Sequence, residues 1–302
     1  MVKILATDGM DKSAIDELTS LGHEVVEQFY DIDDLKNAVK EYDVMVVRSA
    51  TKVRVPVIDA AAEGKRLKMV IRAGVGVDNI DVEYAESKGI MVRNTPNSSS
   101  ISVAELALAH MFSLARFVGI SNVTMRNGQW NKKHYTGIEL MNKTLGLVGF
   151  GRISVELAKR AHVLGMKVVY TNRSGPKEGY PDFKYMEFEE LLKVSDFVSI
   201  HTPATEDGSP LIGKSQLDMM KEGSYLINCA RGGVVDEDAL LDALNSNHLA
   251  GAGIDVFTVE PTKNEALVNH PNVSVTPHIG GSTGEAQERI GGEIVELIKN
   301  NF

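Results

Sequence analysis

The sequence predicts an α/β chain built from two doubly wound, Rossmann-like parallel-sheet domains. Three observations predict it. Short β-branched runs alternate with helical patterns in two separate series, a tract of turn formers divides the series, and a glycine-bearing strand-to-helix turn opens the second. At 302 residues the chain also exceeds the length at which one core usually keeps growing.

The first series runs Ile4 to Ala6, His23 to Val26, Val44 to Val47, Met69 to Ile71 and Ile90 to Val92, the pattern of parallel strands joined by helical crossovers. Asn94-Thr95-Pro96-Asn97-Ser98-Ser99-Ser100 then concentrates turn and helix-capping residues, and a domain crossing belongs there. From Val103 to about Met125 apolar residues recur at helical spacing. Ala104, Leu108, Met111, Ala115 and Val118 share a face, which predicts one long, well-buried helix. The second series comprises Thr144 to Gly149, Lys167 to Tyr170, Phe197 to Ile200, Ser224 to Ile227, Gly253 to Asp255 and Val273 to Val275. Six strands suffice for a complete doubly wound sheet. The stretch from Gly284 onward is helical, with Ile290, Ile294, Leu297 and Ile298 spaced to pack back on the first domain.

Composition narrows the function. Hydrophobic content of 43% with 24% charged residues is globular, and no run of about 18 apolar residues is present to span a bilayer. The N-terminus has no long apolar segment of the kind a secretion signal needs, so a cytoplasmic location is expected. Cys229 is the only cysteine, which excludes an internal disulfide and a multi-cysteine metal site; no metal is expected. A net charge of −9 repels a phosphate backbone, so a small-molecule substrate, and neither nucleic acid nor membrane, is the expected partner.

Gly149-Phe150-Gly151-Arg152-Ile153-Ser154 follows a strand and opens a helix. There the first glycine permits the tight turn, and the second lets backbone amides approach a pyrophosphate at the positive helix end. The bland alternative is a strand-to-helix turn with no ligand. Ser154 replaces the third glycine of the motif and adds a hydroxymethyl group where helix and strand pack. About 20 residues on, where an acid normally holds the ribose of NAD, stand Asn172-Arg173-Ser174. Asn172 does not repel a 2′-phosphate, and Arg173 with Ser174 can bind one, which favours NADP over NAD. The alternative is an NAD site with Asn172 on the ribose diol and Arg173 stacked on adenine.

Three later strand ends carry reactive residues: Asn228 to Asp236 with Arg231, Asp255 to Pro261 with Glu260, and Thr276 to Thr283 with His278. Ligands in open α/β sheets bind outside the carboxyl ends of strands, where these three can converge.

Taken together, the segments resemble the D-isomer-specific 2-hydroxyacid dehydrogenase family along essentially the whole chain, with most likeness to its D-3-phosphoglycerate dehydrogenase branch. The resemblance implies hydride transfer between NAD or NADP and a small D-2-hydroxy acid. Arg231 would bind the substrate carboxylate and polarise the keto group, His278 would exchange the proton, and Glu260 would pair with His278. A carboxylate beside an imidazole favours the charged ring. Such a general acid is worth about 10² to 10⁴ in rate. Cofactor contacts are implied for Gly149, Gly151, Arg152, Ile153, Asn172, Arg173, Ser174, Thr202, Cys229, Ala230, Asp255 and Gly280.

In the first half, Val46 to Val53 and Ile71 to Asn79 resemble the family's substrate motifs, in which Val75 and Gly76 would offer backbone amides to the carboxylate. Arg48 matches a phosphate-contacting arginine, although at a strand end it can equally serve as a structural ion-pair partner. The segment Trp130-Asn131-Lys132-Lys133 resembles one that brings Lys132 to a neighbouring subunit's site. The resemblance further implies a flavodoxin-like substrate domain of residues 1–98 and 287–302, a dinucleotide domain of residues 99–286, and a homodimer formed through the helix at about 102–126. C-terminal regulatory domains are not expected after Phe302. Three functions fit: phosphoglycerate oxidation for serine biosynthesis, NADPH-dependent glyoxylate or hydroxypyruvate reduction, and a cofactor-sensing binding protein on the same scaffold. The last needs no catalytic set, whereas Arg231, Glu260 and His278 are all present.

Overall fold

A computed structural model describes residues 1–205 and 207–302. The chain divides into two units, Met1–Ser99 with Gly281–Phe302, and Ser100–Gly280. The return to the first unit thus falls at Gly281, ahead of the position 287 read from sequence. Thr283, whose hydroxyl accepts from Ala286 N, caps the terminal helix at its start.

The first unit contains β1 (Lys3–Ala6), α1 (Lys12–Ser20), β2 (Glu24–Glu27), α2 (Ile32–Ala38), β3 (Val44–Val47), α3 (Val55–Gly64), β4 (Met69–Arg72), α4 (Val82–Ser87) and β5 (Met91–Asn94). Its sheet is parallel throughout, in the order β2-β1-β3-β4-β5. Central strands of such a sheet are covered on both faces, which is why β3 reads as an unbroken apolar run, Val44-Met45-Val46-Val47, and is wholly buried. The edge strand β2 keeps Glu24 and Glu27 exposed. Strand order reverses between β1 and β3, so their carboxyl ends frame a crevice.

The second unit contains α5 (Ser100–Arg116), α6 (Val118–Arg126), β6 (Thr144–Val148), α7 (Arg152–Val163), β7 (Lys167–Thr171), β8 (Lys184–Tyr185), α8 (Phe188–Val194), β9 (Phe197–Ile200), α9 (Lys214–Met219), β10 (Ser224–Asn228), α10 (Glu237–Asn245), β11 (Leu249–Ile254), α11 (Glu265–Val268) and β12 (Val273–Val275). The parallel order is β12-β11-β10-β9-β6-β7-β8, reversing between β6 and β9. A seventh strand, β8, joins the six expected; two residues long, it carries no period to detect. The terminal helix α12 (Gly284–Lys299) belongs to the first unit. Its Ile290, Ile294, Val295 and Ile298 pack with Leu18 of α1 and with Ile4, Val46 and Ile71 beneath, so the apolar stripe of the sequence does cover the first sheet.

One expectation fails. The helix read as continuous from Val103 to Met125 is two helices bent by 64° at Phe117, which adopts a left-handed φ of 55°. Ile138 N donates to Ala115 O, taking an acceptor that an uninterrupted helix would use for its own next turn. Ala104, Met111 and Ala115 are buried as their spacing demands, but Val118 is exposed and α6 buries no residue at all. No single helix among the described residues is long and apolar enough to cross a membrane.

Candidate active site

The turn after β6 is built by two glycines for different reasons. Gly149 adopts φ 85°, and a Cβ there would lie 2.8 Å from the carbonyl oxygen of His201, so the turn abuts the end of β9. Gly151 has an ordinary φ of −88°, and a Cβ would point into open space. Its own packing therefore does not require glycine; an approaching ligand would. No side chain caps α7, so its first amides, including those of Arg152 and Ile153, lack a side-chain acceptor at the positive end of the helix. Ser154 is fully buried, and its hydroxyl donates to Gly149 O at 2.5 Å, which explains how serine is accommodated at the third glycine position.

At the end of β7, Asn172 Nδ2 donates to Ser174 Oγ at 2.7 Å. Ser174 accepts there and keeps its own proton to give, and both it and Arg173 are exposed. At the end of β9, the Thr202 hydroxyl oxygen is buried without a partner among the described residues, as is Nδ1 of His201. The other His201 nitrogen meets Ser199 Oγ at 2.9 Å. Burial lowers its pKa to about 4, so the ring is neutral. An uncapped helix start, an open Gly151, an orphaned hydroxyl and a cation with a hydroxyl donor fit a nicotinamide dinucleotide, NAD or NADP.

After β10 the chain turns through Cys229, Ala230 and Arg231. Asn228, buried in the strand end, clasps that turn: its Oδ1 accepts from Ala230 N and its Nδ2 donates to Arg231 O, both at 3.0 Å. Cys229 and Ala230 are buried, and burial raises the thiol's pKa far above its ordinary range. Arg231 is half-buried, with Nη1 donating to Ala230 O at 2.7 Å. The next residue must be glycine, since a Cβ on Gly232 would fall 1.8 Å from Phe257 O. The Arg231 turn therefore lies directly against the loop that carries Glu260.

Glu260 and His278 touch. Oε2 of Glu260 is 2.7 Å from Nδ1 of His278, while Oε1 accepts from Phe257 N at 3.1 Å. An ionised carboxylate only accepts, so the imidazole presents Nδ1–H to it and turns Nε2 outward. His278 itself adopts a left-handed φ of 54°. Asp255, 1% exposed, holds that conformation: its carboxylate accepts from Ile279 N and Gly280 N at 2.8 Å each, and its carbonyl accepts from His278 N at 2.8 Å. Asp255 is thus placed as the support of the His278 loop, a role its sequence position did not announce.

In the first unit, Arg48 follows β3 and is half-buried. Its amide donates to Asp8 Oδ2 at 2.7 Å and its carbonyl accepts from Asn79 Nδ2 at 2.7 Å. Val75 and Gly76 lie in the loop after β4, the neighbour of β3, and Val75 O accepts from Asn94 Nδ2. Lys132 stands exposed on a single 3₁₀ turn in the second unit. Residue-by-residue reading missed the supports: Asn228, Asp8, Asn79 and Glu237, whose two carboxylate oxygens accept from Thr258 N and Asn264 Nδ2 in the Glu260 loop. Each is an Asn, Asp or Glu in or beside a loop, and only the groups it clasps separate it from an ordinary solvated turn residue.

This arrangement defines a dinucleotide-linked site with an acid/base pair. Residues 108–280 match the family described as D-isomer specific 2-hydroxyacid dehydrogenase, NAD binding domain. The chain is 44% identical to hydroxypyruvate reductase from Thermotoga maritima, over 98% of this chain and 97% of that one. It is 43% identical to D-3-phosphoglycerate dehydrogenase from Methanocaldococcus jannaschii, over 99% of this chain but 57% of that longer protein. A crystal structure of NADPH-dependent glyoxylate/hydroxypyruvate reductase from Sinorhizobium meliloti, in complex with NADP and malonate, superposes with a TM-score of 0.86 at 29% identity, covering 99% of this chain and 92% of that one. The chain belongs to the D-isomer-specific 2-hydroxyacid dehydrogenase family. It is an NAD(P)-dependent 2-hydroxyacid dehydrogenase.

Proposed function

We propose that the protein interconverts D-3-phosphoglycerate and 3-phosphohydroxypyruvate, the chemistry of serine biosynthesis. Arg48 carries this reading. It sits at the crevice where strand order reverses, its backbone is fixed by Asp8 and Asn79, and its side chain makes no hydrogen bond or ion pair among the described residues. The structural ion-pair alternative therefore lacks its acid, and a half-buried guanidinium is well matched to phosphoryl oxygens.

In this mechanism Arg231 holds the substrate carboxylate and polarises the keto oxygen; Val75, Gly76 and Lys132 keep the substrate roles that the family resemblance implies for them. In reduction, protonated His278 gives its Nε2 proton to the oxygen as it becomes an alkoxide, and Glu260 stabilises the imidazolium through Nδ1. In oxidation, the neutral ring takes the hydroxyl proton back at the same atom. The nicotinamide cofactor, when bound, donates or accepts the hydride. Gly149, Gly151, Arg152 and Ile153 would hold its pyrophosphate, Thr202, Cys229, Ala230, Asp255 and Gly280 would line its nicotinamide side, and Asn172, Arg173 and Ser174 would select NADP over NAD at the ribose.

A second reading, NADPH-dependent reduction of glyoxylate or hydroxypyruvate, is favoured by that same strand end, where no acid opposes a 2′-phosphate, and by the relative from Thermotoga maritima matched over nearly its full length. Steady-state kinetics with 3-phosphoglycerate, hydroxypyruvate and glyoxylate, each with both cofactors, separate the two. The first reading expects turnover of the phosphorylated substrate and a KM raised at least tenfold by Arg48→Ala. No turnover of any phosphorylated substrate would leave the second.

We also infer a homodimer formed through α5 and α6, where Phe112, Val118, Val123 and Met125 are exposed on two consecutive helices.

A further inference from the structure

We propose that His110, on the buried side of α5, is a positioning residue for the loop that carries His278, acting through Thr276 and Asp255. The inference rests on the acid/base role assigned to His278.

His110 is 2% exposed, and the buried residues nearest it on the helix are Ala107, Met111 and Leu114. An imidazole in such a place must satisfy two ring nitrogens, and both are satisfied by one neighbouring segment. Nδ1 lies 2.9 Å from Ser274 Oγ and Nε2 lies 3.1 Å from Thr276 Oγ1. Thr276 Oγ1 in turn donates to Asp255 Oδ1 at 2.6 Å. The strand beneath leaves room for the ring, since a Cβ on Gly253 would come within 2.7 Å of His110 Cβ.

The proton positions follow from the acceptor end. The Asp255 carboxylate only accepts, so the single hydroxyl proton of Thr276 goes to it. The Thr276 oxygen can then only accept from His110, which must carry its proton on Nε2. Nδ1 is left as an acceptor, and Ser274 donates to it. Burial favours the neutral ring that this pattern requires, lowering the pKa of His110 despite the nearby Asp255.

Every link therefore has a fixed direction, from Ser274 through His110 and Thr276 to the Asp255 carboxylate, which holds the amides of Ile279 and Gly280. A hydroxyl that receives a hydrogen bond donates more strongly. His110 thus tightens the grip of Thr276 on Asp255, and with it the orientation of the carboxylate on which the left-handed His278 depends. A purely space-filling residue at this position would need no polar atom.

The test compares His110→Met, which fills similar space without a polar hydrogen, with His110→Gln, which can still donate to Thr276. The expected result is a kcat lowered about two- to tenfold in His110→Met, the size of one net hydrogen bond, with the loss at least half restored in His110→Gln. Thr276→Val should lower kcat similarly, and the His110→Met/Thr276→Val double variant should be no slower than the worse single one. A folded His110→Met with unchanged kcat, or losses that multiply in the double variant, would overturn the proposal. Should His110→Met fail to fold, the wild-type ring decides: nitrogen NMR should show a neutral His110 with its proton on Nε2, and a proton on Nδ1 would overturn the proposal. His278→Ala is the control for the underlying reading; if it keeps full turnover, that reading fails independently of His110.

Discussion

Oε2 of Glu260 lies 2.7 Å from Nδ1 of His278, although the two residues stand 18 positions apart in the chain and on separate loops. The second oxygen of Glu260 is bound to Phe257 N, so the carboxylate is braced from behind while it orients the ring. With the acid ionised both oxygens accept, one from a backbone amide and one from the ring.

Glu260→Gln should therefore lower kcat about ten- to a hundredfold. The amide oxygen can keep one of the two bonds but not both, and a charge-assisted bond is roughly twice as strong as a neutral one. Cofactor affinity, measured by nicotinamide fluorescence, should stay within about twofold, because Glu260 faces the ring of His278. A variant with normal kcat would remove Glu260 from the acid/base pair.

The two glycine turns give opposite expectations. Gly151→Ala places a methyl group in open space at an ordinary φ, so thermal stability of the free protein should change by less than about 0.5 kcal/mol. Cofactor affinity should fall at least tenfold, since the methyl group occupies the approach to the α7 amides. Gly232→Ala drives a Cβ to 1.8 Å from Phe257 O and should destabilise by roughly 1–3 kcal/mol, while displacing the Glu260 loop. Calorimetry together with cofactor titration distinguishes them; equal loss of stability in both would contradict the assignment of Gly151.

The contrast also shows what a sequence can disclose. Gly149 and Gly151 look alike in the chain, and only the distance to the carbonyl of His201 separates a glycine demanded by packing from one left for a ligand. Strands β1, β3, β6 and β9 were legible because buried parallel strands are predominantly apolar runs, and the contact of Glu260 with His278 was foreseeable because both residues follow strand ends. The break at Phe117 was not, since nothing in the helical period of residues 103–125 reveals that Ile138, from a later segment, takes the carbonyl of Ala115. Nor were the clasps of Asn228 and Asp255, whose roles depend on being buried among backbone amides.

That break leaves α6 with apolar side chains and no core to bury them in, and the proposed homodimer gives them one. Val123 is 53% exposed, so Val123→Glu should leave the fold of the chain intact and weaken association. Light scattering on a dilution series should show the wild type at twice the chain mass and the variant shifting to a single chain. A variant that remains dimeric at every concentration would place the interface elsewhere.

His201 makes stability depend on pH. Its ring nitrogen Nδ1 is buried, and desolvation lowers the pKa of the ring from 6.5 to about 4. Between those values the unfolded chain binds a proton that the folded one refuses, so folding stability is fully present above about pH 6.5 and is lost as the pH falls toward 4. The contribution lost by pH 5 is about 2 kcal/mol, approaching roughly 3 kcal/mol near pH 4. Ser199 Oγ is the one partner the ring has among the described residues, so His201→Asn removes the titration at modest structural cost. Urea denaturation at pH 7.5 and pH 5, followed by circular dichroism, should show wild-type stability falling by about 2 kcal/mol more than that of the variant. Parallel losses in the two proteins would mean that His201 is reached by solvent protons in the folded state and does not govern acid sensitivity.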